Sequence, residues 1–289
     1  MNSDKTLFEI RKKGEEILEK ANISDPSFDA TALLLHCFRI DRTEYARRLR
    51  QSVPGKDPSY QEYRNAVARR AEHVPLQYIT GCADFMGHTF IVTPDVLIPR
   101  FDSETLVAAA AKEAKSGMRV LDLCTGSGCL LLSLMKEVPG LSGTGCDLSA
   151  LALRTAEKNA EQLHVSPVDW YCGDLFRALP ENAGPFDMII TNPPYIETEV
   201  IGTLDEEVRS HEPLMALDGG TDGLAFYRRI LEDAGRWLVR GGSLFAETGF
   251  EQTEKVKELF ERAGFTETTV LFDLGGNARV VRGKNGNTQ

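Results

Sequence analysis

Thr191-Asn192-Pro193-Pro194-Tyr195 follows the apolar run Phe186-Asp187-Met188-Ile189-Ile190, which reads as a buried strand. Two consecutive prolines have no N–H to give a sheet, so the strand must stop there with its backbone held stiff. The stop presents a side-chain amide, carbonyls released from the ladder, and an aromatic ring. Two acceptors suit the two hydrogens of a planar NH2 group, and a ring can cover it. The chemistry these residue types suggest is therefore chemistry at an amide or amino nitrogen.

A second set lies upstream. Asp122-Leu123-Cys124-Thr125-Gly126-Ser127-Gly128 follows a strand-like run and opens a helical one. Glycines there let the backbone pass close to a ligand. The dinucleotide pattern needs a small residue where Leu131 stands, and no phosphate-binding lysine follows the turn. Asp147 comes 21 residues after Gly126, at the end of the next strand, where a carboxylate can accept from both hydroxyls of a ribose. Gly173-Asp174-Leu175 closes the third strand, with Asp174 placed to accept from an adenine amino group and Leu175 to pack on its ring. Singly, each is also ordinary turn chemistry. Together the three strand ends line one crevice, where open α/β sheets hold ligands. A nucleoside without a dominant phosphate site fits, and S-adenosylmethionine is the natural candidate. Its expected contacts are Cys124, Thr125, Gly126, Ser127, Gly128, Asp147, Asp174, Leu175 and Asn192.

The elements that must position these residues follow from periodicity. From residue 102 to the end, strands at 120–123, 143–146, 168–172, 188–190 and 243–246 alternate with helices, which implies a doubly wound, mainly parallel sheet. Strands at 268–272 and 279–281 have only Asp273 to Ala278 between them, too short for a crossover, so they form an antiparallel pair. Residues 1–80 read as a small all-helical unit. Asn22 ends the first helix, Asp25-Pro26-Ser27 opens the second, Thr43 caps a short third, and a fourth runs from about Pro58 to Glu72. Residues 81–101 form a β-hairpin linker, with Phe85, Phe90 to Val92 and Val96 to Ile98 in its strands.

Of 289 residues, 42% are hydrophobic and 26% charged, enough for one large domain and a small one. Residues 1–80 carry 14 Lys and Arg against 12 Asp and Glu, a balance of +2; the rest carries 19 against 31, a balance of −12, for a net charge of −10. So acidic a main domain argues against non-specific nucleic-acid binding. The cluster Arg39, Arg42, Arg47, Arg48 and Arg50 is either a solvated helix face or a contact for an acidic partner. Six cysteines without metal-ligand spacing imply reduced thiols and no metal. A charged start and no long apolar stretch imply a cytosolic protein.

In this order the motifs resemble class I methyltransferases that act on NH2 groups. Four further stretches narrow the resemblance to the peptide chain release factor glutamine N5-methyltransferase family. They are Pro75-Leu76-Gln77-Tyr78-Ile79-Thr80-Gly81, Val96-Leu97-Ile98-Pro99-Arg100, Glu212-Pro213 with residues 216–224, and Arg279-Val280-Val281. The resemblance spans the whole chain and implies a Rossmann-like, seven-stranded class I methyltransferase sheet in residues 102–289, with residues 1–80 docking the substrate. It implies methyl transfer from S-adenosylmethionine, leaving S-adenosyl-L-homocysteine, to the glutamine of the Gly-Gly-Gln motif in release factors 1 and 2. It also implies that the Asn192 oxygen and the Pro193 carbonyl accept from the substrate NH2 while Pro194 and Tyr195 complete the substrate site. The loop at 196–223 would wrap the peptide. Alternatives are a glutamine in a ribosomal protein, adenine N6 in a nucleic acid, or a scaffold that binds cofactor without turnover. The family often has Gly at Cys124 and Pro-Asp-Thr-Glu at Phe101-Asp102-Ser103-Glu104.

Overall fold

Thr6 starts the helical unit with a reciprocal cap: its hydroxyl accepts from Glu9 N at 3.2 Å and its own N–H donates to the Glu9 carboxylate at 2.8 Å. This computed structural model describes residues 4–286. In chain order, β1 (Lys5–Thr6), α1 (Leu7–Lys20), α2 (Pro26–Phe38), α3 (Arg42–Arg48), β2 (Ser52–Val53), α4 (Pro58–Ala71) and α5 (Leu76–Thr80) build one unit. Asn22, at φ 57°, ends α1 in the left-handed conformation its short side chain tolerates. Asp25 caps α2, with Pro26 in the first turn where no N–H is needed. Thr43 does not cap α3. Asp41 does, accepting from Glu44 N at 2.6 Å, so α3 starts earlier and Thr43 lies inside its first turn. Pro75 stops α4 as expected and also opens α5, an element the sequence did not disclose. Leu7, Leu18, Leu33, Leu34 and Tyr63 are sealed inside this unit. Arg39, Arg42, Arg47 and Arg50 are exposed.

The same unit takes in a piece from far along the chain. It comprises Met1–Gly81 with Asp205–His211, whereas Cys82–Leu204 and Glu212–Gln289 form the second unit. Within the first, Arg70 is buried with Nε 2.6 Å from Asp29 and a terminal nitrogen 2.6 Å from Glu207.

The second unit opens with the hairpin of β3 (Cys82–Phe85) and β4 (His88–Ile91). Val96 to Ile98 is not part of it. Prolines at 94 and 99 bracket that run and deny it a ladder; Val96 and Ile98 are buried, and Ile98 N donates to the Glu212 carboxylate at 3.4 Å. There follow α6 (Glu104–Glu113), β5 (Arg119–Leu123), α7 (Cys129–Glu137), β6 (Ser142–Asp147), α8 (Ala150–Leu163), β7 (Val168–Cys172) and β8 (Phe186–Thr191). α9 (Glu206–His211) is the piece held in the helical unit. The chain ends with α10 (Ala225–Trp237), β9 (Leu238–Glu247), α11 (Thr253–Arg262), β10 (Phe265–Phe272) and β11 (Ala278–Asn285).

Seven strands form one sheet in the order β10-β11-β9-β8-β5-β6-β7. β5 to β9 are parallel neighbours, and β11 slots between β9 and β10 antiparallel to both. Alternate side chains enter opposite cores: Leu121, Ile189 and Leu244 pack on one face, Val120, Met188 and Phe245 on the other. Each such side chain contributes about 1.5–3 kcal/mol on burial. From β5 the order runs to β6 and β7 on one side, then returns to β8 on the other. That reversal opens a crevice at the carboxyl ends of β5 and β8.

Candidate active site

The turn after β5 places Cys124, Gly126 and Gly128 at φ 60°, 55° and 78°. Asp122, fully buried on β5, accepts from the Thr125 hydroxyl at 2.6 Å, and Thr125 N donates to Cys146 O at 3.1 Å. Turn, β5 and β6 are thereby fixed together. Burial pushes the Asp122 carboxyl up to about 7. At the end of β6, Asp147 accepts from Gly126 N at 2.9 Å through Oδ2 and from Ser149 N at 2.8 Å through Oδ1. The Leu148 backbone also bonds to it, so of a carboxylate's roughly four acceptor positions Asp147 keeps one for a ribose hydroxyl. Burial raises its pKa as well.

β8 ends beside this turn because the Thr191 hydroxyl donates to Leu123 O at 2.8 Å. The next residue, Asn192, donates from Nδ2 to the Ser103 hydroxyl at 3.3 Å. Glu247 closes β9, where the Ser103 and Asn192 side chains favour its charged form. Burial pushes its carboxyl up to about 7. Behind the motif, Gly219 N donates to Ile196 O at 2.8 Å, and a Cβ on Gly219 would lie 2.6 Å from Tyr195 Cα. Gln252 donates to Tyr195 O at 2.9 Å. The 196–223 stretch is thus partly a built brace for the Asn-Pro-Pro-Tyr backbone.

One cavity brings together residues 124–127, Asp147, Asn192 and Pro194. Gly128, Asp174, Leu175, Pro193 and Tyr195 are not on its wall. Gly128 faces the packing of α7 on α8, where a Cβ would meet Ala156 Cβ at 3.2 Å. Both Asp174 oxygens lie 2.6 Å from Arg229, in a partly exposed ion pair. Leu175 is buried, at φ 50°. Tyr195 packs against the core, where burial raises its hydroxyl pKa.

Sequence reasoning gave no site role to Ser103, Phe226 or Glu247. Ser103 and Phe226 line the cavity, as do Pro213 and Met215 of the 196–223 loop, and Glu247 is charge-coupled to Ser103 and Asn192. A lone carboxylate closing a buried apolar strand was the available signal for Glu247. Arg100 pairs with the buried Glu212, so two separate stretches that carry the resemblance meet in one ion pair.

A cofactor of the expected kind fits the wall: Gly126 presents open floor, where an added Cβ would meet nothing within 4 Å, and Asp147 stands beside it as an acceptor. Among the described residues no helix is long and apolar enough to cross a membrane.

Comparison with known proteins agrees with the geometry. The family described as PrmC N-terminal domain matches residues 9–81, and that described as Methyltransferase small domain matches residues 99–207. A release factor glutamine methyltransferase from Agrobacterium fabrum is 40% identical, covering 91% of this chain and 92% of its own. One from Geobacter sulfurreducens is 44% identical over 77% and 78%. A 16S rRNA methyltransferase of T. thermophilus, solved with AdoMet and guanosine, has the same fold, at TM-score 0.52 and 22% identity over 70% of this chain and 49% of its own. With relatives this similar along nearly its whole length, the chain belongs to the release factor glutamine methyltransferase family.

Proposed function

We propose that this protein methylates the side-chain N5 of the glutamine in the Gly-Gly-Gln motif of bacterial release factors 1 and 2. The observation that carries the reading is the meeting of Asn192 with Gly126 and Asp147 in one cavity. When bound, S-adenosylmethionine supplies a methyl group already activated by its sulfonium. Residues 124–127 and Asp147 would hold it, Asp147 through a ribose hydroxyl.

The weak reactant is the amide nitrogen, whose lone pair is delocalised into its carbonyl. The Asn192 oxygen and the Pro193 carbonyl accept its two hydrogens and hold it in line for attack, which favours the positive charge that grows there. The new N–C bond forms as the S–C bond breaks, sulfur keeps the bonding pair, and the nitrogen then loses a proton to solvent. Tyr195, braced by Gly219 and Gln252, keeps the motif backbone still. The helical unit docks the factor.

Purified protein, labelled cofactor and either release factor, read by mass spectrometry of the Gly-Gly-Gln peptide, test this. Methylated glutamine is expected; transfer only to a ribosomal protein, DNA or RNA would overturn it. Asn192→Ala should lower kcat by about a hundredfold or more, with cofactor binding retained by calorimetry.

A further inference from the structure

The carboxamide of Asn192 has two ends, and only one serves the reading above. An NH2 end turned to the substrate would set donor against donor. Nδ2 instead donates to Ser103. Behind both stands Glu247, which is 2% exposed. The side chains of Ser103 and Asn192 favour its charged form, while Oε2 has no hydrogen-bond partner among the described residues. No cation pairs with it directly among those residues. Burying such a group costs several kcal/mol unless its neighbours favour it. An ionised carboxylate accepts only, so it tolerates the NH2 end of an amide and repels the oxygen end.

We propose that Glu247 is a positioning residue for methyl transfer: with Ser103 it holds the NH2 end of Asn192 inward and so turns Oδ1 toward the substrate amide. The inference rests on the acceptor role given to Asn192 above. Protonated Glu247 could donate, and the amide would then be free to turn over. Burial and Asp102 push the Glu247 carboxyl up, while Ser103, Arg279 and Asn192 pull it down, leaving it at about 7. Tyr195, Tyr227 and Cys129 feel its charge, and burial keeps all three protonated. Transfer should therefore weaken as pH falls through about 7.

The test is kcat against pH on a release factor for the wild type, Glu247→Gln, Ser103→Ala and Ser103→Thr, with cofactor binding by calorimetry. Glu247→Gln should lower kcat at pH 8 by about ten- to a hundredfold, leave cofactor affinity within about twofold, and remove the acidic limb of the profile. Ser103→Ala should fall in the same direction and Ser103→Thr, which keeps the hydroxyl, should recover. A folded Glu247→Gln protein with wild-type kcat and an unchanged acidic limb would overturn the role. Should that variant not fold, wild-type kcat in Ser103→Ala overturns it, and loss restored in Ser103→Thr upholds it. A wild-type protein inactive on release factors fails the substrate reading itself, and this role falls with it. Activity without the variant pattern fails only the role of Glu247.

Discussion

Cys124 sits at φ 60°, a left-handed conformation that costs a side chain about 1–2 kcal/mol. Glycine there removes that strain and loses only a thiol, whereas a β-branched residue adds to it. Cys124→Gly should therefore keep cofactor affinity within about twofold, and Cys124→Val should be less stable than Cys124→Gly by about 2 kcal/mol in urea. Asp122 gives a pH signature. Its carboxyl is raised from 3.8 to about 7, so between those values the folded state binds the extra proton. Stability from this group is full at the acidic end and is lost as pH rises through about 7. Asp122→Asn should raise the melting temperature more at pH 8 than at pH 5; an equal gain at both would rule this out. Asn192, Gly126 and Asp147 were legible because each stands where a strand pattern breaks. Ser103 and Glu247 were harder to read: the one local mark of Glu247 is a lone carboxylate closing an apolar strand, and Ser103 meets Asn192 only through the fold, 89 residues away in sequence.

Elements show the same division. Strands β5, β8 and β9 declare themselves by apolar runs, and helix α8 by the Ser149 cap, which accepts from Ala152 N at 3.1 Å. The Val96 to Ile98 run misled because an apolar triplet carries no information on whether a sheet edge is near; its prolines decided against a strand. Helix α5 escaped because five residues are too few to show a period. The Gly219 brace is the element on which the motif rests. Gly219→Ala would put a Cβ 2.6 Å from the Tyr195 backbone, which cannot rotate aside. A loss of roughly 1–3 kcal/mol is expected, with kcat falling more than cofactor affinity; equal kcat in the variant would show that the brace does not set the motif.

In the whole molecule, the alternation of strands and helices and the helical opening were readable, yet the division of the chain was not. The sequence suggested one N-terminal block, but residues 205–211 return to it and Arg70 reaches into them. Arg70→Met leaves Asp29 buried without its cation, and a cost of about 3–5 kcal/mol is expected, read as a lower urea midpoint by a probe in the helical unit. Glu207→Gln, at a half-exposed partner, should cost far less.

That return gives the protein an unusual connectivity. The backbone passes between the two units three times, at Gly81–Cys82, Leu204–Asp205 and His211–Glu212. The helical unit is therefore not a detachable prefix. A protease cut near Gly81 leaves α9 as a tether with both ends still anchored in the larger unit, so the pieces should co-migrate on a native gel. Deleting residues 1–81 would strand α9 without its bed, in a loop that begins beside Asn192 and returns at Glu212. In evolutionary terms the block cannot be swapped or lost by a single end truncation, because its last part is encoded inside its neighbour.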